Sequence, residues 1–323
     1  MARFLHSIIQ PNTNLVASVD ITPFDLPVNP LSFLLLRLQI TRVDPTTELL
    51  YSAIDDLITQ ITAIRVLHKG EQIIQGSLRD LMVMNMVYQR AFPGWSHIEQ
   101  TNNSLSSIVF PLCLGRRLYD PVSCFFPTQR GNLRFEMSSG PFGAAYDDVN
   151  FSLEAVELIE ANPTEHVKYV TSSRTSVAGQ FDLRLPIGNS FLGILLFDTG
   201  IAEAADEVSS WGTIKLLKDN VEQYYPLSDY ETLAAMIHMQ MMSIPGWPGH
   251  IHQYDGSEAA IAQSADAARL ANSDYRGYAF LDFDPLRDLF YELETAGASD
   301  ILLRGNGDAA QAVRAIPLER VVL

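Results

Sequence analysis

"FDLPVNPLSFLLL" (Phe24–Leu36) and "FDLRLPIGNSFLGILL" (Phe181–Leu196) are two versions of one apolar segment, and reading them as copies decides the fold. Phe24-Asp25-Leu26 matches Phe181-Asp182-Leu183, and Ser32-Phe33-Leu34 matches Ser190-Phe191-Leu192. Further matches follow in the same order. "TAIRVLHKGEQ" (Thr62–Gln72) answers "GTIKLLKDNVEQ" (Gly212–Gln223), and "SLRDLMVMNMVYQRAFPGW" (Ser77–Trp95) answers "SDYETLAAMIHMQMMSIPGW" (Ser228–Trp247). Four colinear matches with offsets of 150 to 158 residues read as a tandem duplication. Each copy is far longer than a solenoid repeat and long enough to enclose its own core. Asn162-Pro163 supplies a turn signal between the copies, which sets the expected domains at 1–163 and 164–323.

Most segments within a copy read as strands. "LVASVDIT", "LSFLLLRLQITR", "TAIRVLHKG", "SSIVFPLCL", "NLRFEMSS" and "FSLEAVELIEA" are short, rich in β-branched and aromatic residues, and bounded by Gly, Pro, Asn or Asp. "HVKYVTSS", "GQFDLRLPI", "SFLGILLFD", "GTIKLLKD", "RGYAFLDFD", "DILLRG" and "AVRAIPLERVVL" do the same in the second copy. Six or seven strands per copy without alternating long helices predict an all-β chain of two β-sandwiches and exclude a doubly wound parallel sheet.

One helix interrupts each copy at the same place. Ser77 with Asp80, and Ser228 with Glu231, fit a capping pattern in which the serine oxygen takes an orphan N–H. Tyr230, Leu233, Ala234, Ile237 and Met241 give the second helix one apolar face, whereas Asn85 interrupts the matching stripe in the first. Pro93 and Pro245 are expected to stop these helices, with Gly94 and Gly246 at the positive-φ position of a type II turn. Trp95 and Trp247, two of only three tryptophans, are expected to pin each helix exit to its sheet. "PTTELLYSAIDDLITQI" (Pro45–Ile61), the shorter "IAEAADEV" (Ile201–Val208) and the Ala-rich Ser257–Ser273 also have helical character.

With 22 Lys+Arg against 38 Asp+Glu the formal charge is -16, and the longest basic cluster is Arg116-Arg117. That balance speaks against holding nucleic acid by counterion release. "MARFLHSIIQPNTN" lacks the small-residue cleavage site of a signal peptide, and the apolar run Leu31–Ile40 is broken by Arg37 at half the length of a membrane span. The expectation is a soluble, non-secreted chain. Cys113 and Cys124 are expected as two reduced, buried thiols. An apolar fraction of 47% is rich for an acidic soluble protein and points to surface buried between subunits.

Catalytic motifs are missing: no G-x-G-x-x-G after a strand, no P-loop, no H-E-x-x-H, no G-x-S-x-G and no C-x-x-C occurs. "GHIHQYDGSE" places His250 and His252 on one face of a strand, followed by Glu258, which is the one candidate set for a transition metal. It departs from a cupin, whose glutamate comes earlier and whose second His-containing motif has no counterpart here. Asp282, Asp284, Asp147 and Asp148 could coordinate Ca²⁺, although surface solvation is the default for such residues.

Duplicated sandwiches, a helix at a matched point in each, an acidic balance and high apolar content together resemble the double jelly-roll major capsid proteins of the lineage that includes adenovirus hexon. The stretch Phe24–Met82 is similar to the amino-terminal jelly roll of coat proteins from tailless, membrane-containing icosahedral bacteriophages, the corticovirus type above all. The resemblance implies two tandem eight-stranded jelly rolls, each with a short inserted helix. It implies a structural protein of the virion and no enzyme. Homotrimers with pseudo-hexagonal outline would tile an icosahedral shell, assembled in the host cytoplasm, over an internal membrane and beside minor capsid or penton proteins. No cofactor and no direct nucleic-acid contact is implied, with structural Ca²⁺ left open. Two other readings compete: a bicupin-like metal enzyme using His250 and His252, and a carbohydrate-binding or spike protein using Tyr224, Tyr225 and Tyr254.

Overall fold

A computed structural model of the chain describes residues 3–42, 57–97, 105–143, 146–199, 209–242, 277–308 and 310–323. They form two compact units, one running to Val167 and including Leu323, the other running from Lys168 to Val322.

The first unit contains β1 (Arg3–Asn14), β2 (Phe24–Asp25), β3 (Leu31–Arg42), β4 (Ile61–His68), β5 (Glu71–Gly76), helix α1 (Leu78–Met84), β6 (Gly94–His97), β7 (Leu105–Cys113), β8 (Leu133–Ser139) and β9 (Tyr146–Ile159). One sheet has the order β1-β9-β3-β7-β6, and the strands β2-β8-β4-β5 form the other layer. The chain therefore changes layer at every connection except the β4–β5 hairpin and the β6–β7 pair. That itinerary is the jelly roll. It follows from residue pattern: Leu34, Leu36, Leu38 and Ile40 of β3 alternate inward and are wholly buried. Each such side chain contributes roughly 1.5–3 kcal/mol of burial.

β10 (Glu165–Val170) carries the chain into the second unit, which holds β11 (Ser172–Thr175), β12 (Gly179–Leu185), β13 (Ser190–Asp198), β14 (Thr213–Lys218), β15 (Val221–Glu222), β16 (Ser228–Asp229), helix α2 (Tyr230–Met242), β17 (Tyr278–Asp282), β18 (Leu293–Glu294), β19 (Ile301–Gly307) and β20 (Ala312–Val322). Here β11 pairs β20, β20 pairs β13, and β13 pairs β17 and β18. The other layer is β12-β19-β14-β15, with β16 also on β14. The layer order of the first unit recurs through β11, β12, β13, β14–β15, β17, β19 and β20, with β16 and β18 as short additions, so the chain is a double jelly roll with a helix after the β4–β5 hairpin of the first roll and after the β14–β15 hairpin and β16 of the second. β12 shows how a one-sided sheet is coded: Phe181, Leu183 and Leu185 face the core while Asp182 and Arg184 face out.

The ladders fix which residues are equivalent. In β3 an extra residue, Ser32, bulges opposite Val156 and Glu157; in β13 the extra residue is Leu192, opposite Leu318 and Glu319. The bulge carbonyl accepts the next N–H of the neighbouring strand in both units, from Leu114 and from Phe283, each at 3.0 Å. Leu31 therefore corresponds to Phe191, two positions away from the pairing that the Ser-Phe-Leu match gives. The β4–β5 and β14–β15 turns, Lys69-Gly70 and Asp219-Asn220, agree with the sequence match directly.

Candidate functional site

The first helix begins as expected, with Ser77 Oγ accepting from the Asp80 amide at 3.2 Å. It does not run on to Pro93. At Asn85 it widens into a π turn, Asn85–Gln89, and it stops at Arg90 with a left-handed φ of 56°. The buried Asn85 amide donates to the Pro111 carbonyl at 3.0 Å, so the residue that breaks the apolar stripe is used where the helix widens. Pro93 is buried in the stretch after that stop, and Gly94 opens β6 in place of the expected type II turn, with no positive φ. Trp95 stands in β6 opposite Ile108, and its side chain lies outside the described residues.

In the second unit the cap is Asp229 and not Ser228, because α2 starts at Tyr230 and Asp229 is the residue immediately before it. Asp229 Oδ2 accepts from the Thr232 amide at 3.0 Å and from its hydroxyl at 3.2 Å. Pro245, Trp247, His250, His252, Tyr254 and Glu258 lie outside the described residues, as do most of the helical stretches expected at 45–61, 201–208 and 257–273.

Among the described residues a third tryptophan, Trp211, anchors a sandwich; it is wholly buried and is not singled out by the duplicated motif. Its indole N–H donates to the Phe197 carbonyl at 3.1 Å. Buried Asp198 Oδ2 accepts from Ser209 Oγ at 3.0 Å and from the amides of Ser210 at 2.6 Å and Trp211 at 3.3 Å. Gly212 makes the corner possible: its φ is +56°, and a Cβ there would lie 2.1 Å from the Asn306 carbonyl oxygen. Counted back from the hairpin turns, Trp211 occupies the position of Ile61 in the first unit.

Charged pairs recur in both rolls. Asp25 faces Arg134 across β2 and β8 at 3.5 Å, and Asp182 grips Arg304 across β12 and β19 with two bonds of 2.6 and 2.9 Å. The Arg304 hydrogen bond holds the Asp182 carboxyl below its ordinary 3.8, against an opposing push from partial burial. Before each bulge an asparagine amide donates to a buried glutamate, Asn29 to Glu157 at 2.6 Å and Asn189 to Glu319 at 2.7 Å. A sequence signal existed for these clamps in Asn29 and Asn189, which share the 160-residue spacing of the bulges.

Of the Ca²⁺ candidates, Asp282 is held by both its oxygens to Arg287 Nη1 at 2.8 and 3.0 Å, and buried Asp284 accepts from the Leu289 amide at 2.8 Å. Asp147 and Asp148 are exposed on β9. No cluster of three metal-ligating side chains occurs among the described residues. Tyr225 is fastened by its hydroxyl to the Asp282 backbone, and burial pushes that phenol up; Tyr224 is exposed, with its ring 5.6 Å from that of Phe283. Cys113 and Cys124 are buried and form no disulfide, and burial raises both thiol pKa values, that of Cys124 to about 12.

Exposed apolar side chains occur, among other places, in the connections beside the hairpin turn of each roll. In the first unit the Lys69 amide donates to the Asn132 carbonyl at 2.7 Å, joining the β4–β5 turn to the β7–β8 connection, where Leu118 and Tyr119 are exposed. In the second the Asp219 amide donates to the Asp300 carbonyl at 3.0 Å, joining the β14–β15 turn to the β17–β19 connection. There Leu286 and Phe290 are 68% and 77% exposed although Arg287, Asp284 and Asp288 brace the backbone around them.

No family model and no curated protein matches the chain. Its fold is nonetheless shared over its whole length with double jelly-roll major capsid proteins. It is similar to the STIV MCP (12% identity, 99% of this chain and 97% of that one, TM-score 0.67). It is also similar to the major capsid protein P2 from bacteriophage PM2 (13%, 100% and 98%, TM-score 0.58) and to the PBCV-1 virus capsid (8%, 99% and 94%, TM-score 0.59).

Proposed function

We propose that this chain is a viral major capsid protein that works as a homotrimer. The observation carrying the reading is the recurrence of one jelly-roll layer order twice within one chain, at full-length likeness in fold to capsid proteins. Duplication serves shell building: three chains present six similar rolls, so a trimer offers a pseudo-hexagonal outline to six neighbours. In this reading the rolls divide near residue 163, and the trimers tile an icosahedral shell in the virion after assembly in the host cytoplasm. Neighbouring capsomers, minor capsid or penton proteins and an internal membrane are the partners. The role is structural, without catalysis or a bound cofactor.

Light scattering on purified protein tests it. A mass of three chains of 35.9 kDa, or shell particles in the electron microscope, is the expected result. A monomer at every concentration would sink the reading.

A further inference from the structure

Between β1, which ends at Asn14, and β2, which begins at Phe24, the first roll runs for nine residues; between β11 and β12 the second roll takes three. The short connection is closed on itself, with the Ser176 amide donating to the Gln311 carbonyl at 2.8 Å and the Gln311 amide to Ser176 Oγ at 2.9 Å. The long one is pinned open at several points. The amides of Leu15, Ser18 and Ile21 donate to the carbonyls of Val149, Gly140 and Met137 at 2.7, 2.8 and 2.9 Å, and Ser139 Oγ donates to the Val16 carbonyl at 2.8 Å. Together with the ends of β1 and β2 and with Phe151 of β9, this connection lines a cavity of about 450 Å³. That is a usual size for a small-molecule site, and walls held by main-chain bonds are formed before any ligand arrives.

The lining decides the chemistry of the ligand. Asp20 is the one charged residue among the described lining, and its carboxylate makes no ion pair or hydrogen bond among the described residues. Gln10 Nε2 donates to Thr13 Oγ1 at 2.8 Å, and that hydroxyl donates to the Pro11 carbonyl at 2.7 Å, which leaves Gln10 Oε1 as a second acceptor. Beside these oxygens stand the apolar side chains of Val19 and Ile21 and the rings of Phe24 and Phe151. A primary ammonium has three donors and no acceptor, so it matches the oxygens, and phenyl faces attract cations as well. We infer that this cavity binds a small aliphatic amine, its ammonium on Asp20 and Gln10 and its methylenes against Val19, Ile21 and the two rings. The formal charge of -16 on the whole chain raises the local concentration of such a cation. An anionic or acceptor-only ligand would instead face the Asp20 carboxylate without a donor to offer it.

The inference goes beyond the capsid reading and stands or falls without it. Titration calorimetry of the full-length protein with 1,4-diaminobutane, in about 0.15 M NaCl to screen diffuse attraction to an acidic surface, should show saturable binding of one molecule per chain. Asp20→Asn should weaken it about fivefold or more, since even a partly exposed ion pair is lost, while Val19→Trp should abolish it by filling the cavity with the charge left in place. Asp20 and Val19 are both exposed, so both variants should melt with the wild type. Two substitutions of opposite kind keep the test decisive should one of them disturb the connection. Heats that never saturate, or affinity unchanged in Asp20→Asn or in Val19→Trp, overturn the inference. n-Butanol binding as tightly as the diamine would overturn it in favour of a purely apolar cavity, and methyl glucoside binding more tightly would overturn it in favour of a carbohydrate site.

Discussion

The two rolls share one itinerary and one bulge, yet they fill equivalent places differently. Where β4 begins, the first roll buries Ile61; at the same position the second buries Trp211, tied by its indole to Phe197 and by its amide to Asp198. The methionines of the first helix, Met82, Met84 and Met86, are all core, whereas Met236 and Met239 of the second helix are 46% and 72% exposed. Duplication thus conserved the path of the chain and the inward pattern of its strands. Corners, helix faces and end loops diverged, because each of these is held by local contacts that the rest of the sandwich does not constrain.

The largest test of that contrast is at the strand mouth. Trp211→Ala should cost roughly 3–5 kcal/mol in calorimetric unfolding, since it removes a fully buried ring and orphans the Phe197 carbonyl. Ile61→Ala should cost about 2–4 kcal/mol, with no hydrogen bond lost. Equal losses would mean that Trp211 is only filler. The helices offer the next test. Met84→Ala should destabilise by about 2–4 kcal/mol, while Met239→Ala should stay within about 0.5 kcal/mol. A large effect at Met239 in the monomer would contradict its place on the outer face of α2.

The duplication was legible because strands repeat with period two. Phe-Asp-Leu and Ser-Phe-Leu were paired two residues away from their ladder equivalents, and a two-residue slip leaves every side chain on its proper face. The match therefore identified the right strands with the wrong residues. At the hairpin turns no slip occurs, because turn geometry admits no sliding. Helix boundaries were harder to read. Arg90 ends the first helix in a left-handed conformation that no arginine advertises, and Asp229 takes the cap from Ser228 because α2 starts one residue later than the capping pattern implies.

Caps give a smaller and sharper comparison. Ser77→Ala and Asp229→Ala should each cost about 1 kcal/mol, because each removes the acceptor for an orphan helix amide. Ser228→Ala should change stability by less than about 0.5 kcal/mol, as its place in the ladder is made by backbone. Urea midpoints in the order Ser77→Ala, Asp229→Ala, then Ser228→Ala near wild type would fix the cap one residue later in the second roll. A loss at Ser228 equal to that at Asp229 would restore the serine as cap.

The smallest expected difference lies in the cross-strand ion pairs. Asp182 and Arg304 meet through two short bonds with side chains about a third exposed, whereas Asp25 and Arg134 meet once, at 3.5 Å, and are more exposed. Solvent screening keeps even the better pair near 0.5–1 kcal/mol, and the looser one near zero. Because Arg304 depresses the Asp182 pKa in the folded chain, the stabilisation is complete above the ordinary value of 3.8 and is lost as pH falls through the lower folded value. Asp182→Asn should therefore lower the melting temperature at pH 7 and converge on the wild-type curve at the acid end, below about pH 3. Asp25→Asn should track wild type at both pH values. Parallel offsets for Asp182→Asn at pH 7 and at pH 3 would mean that its carboxylate acts through packing and not through charge, and the two rolls would then be alike at this pair.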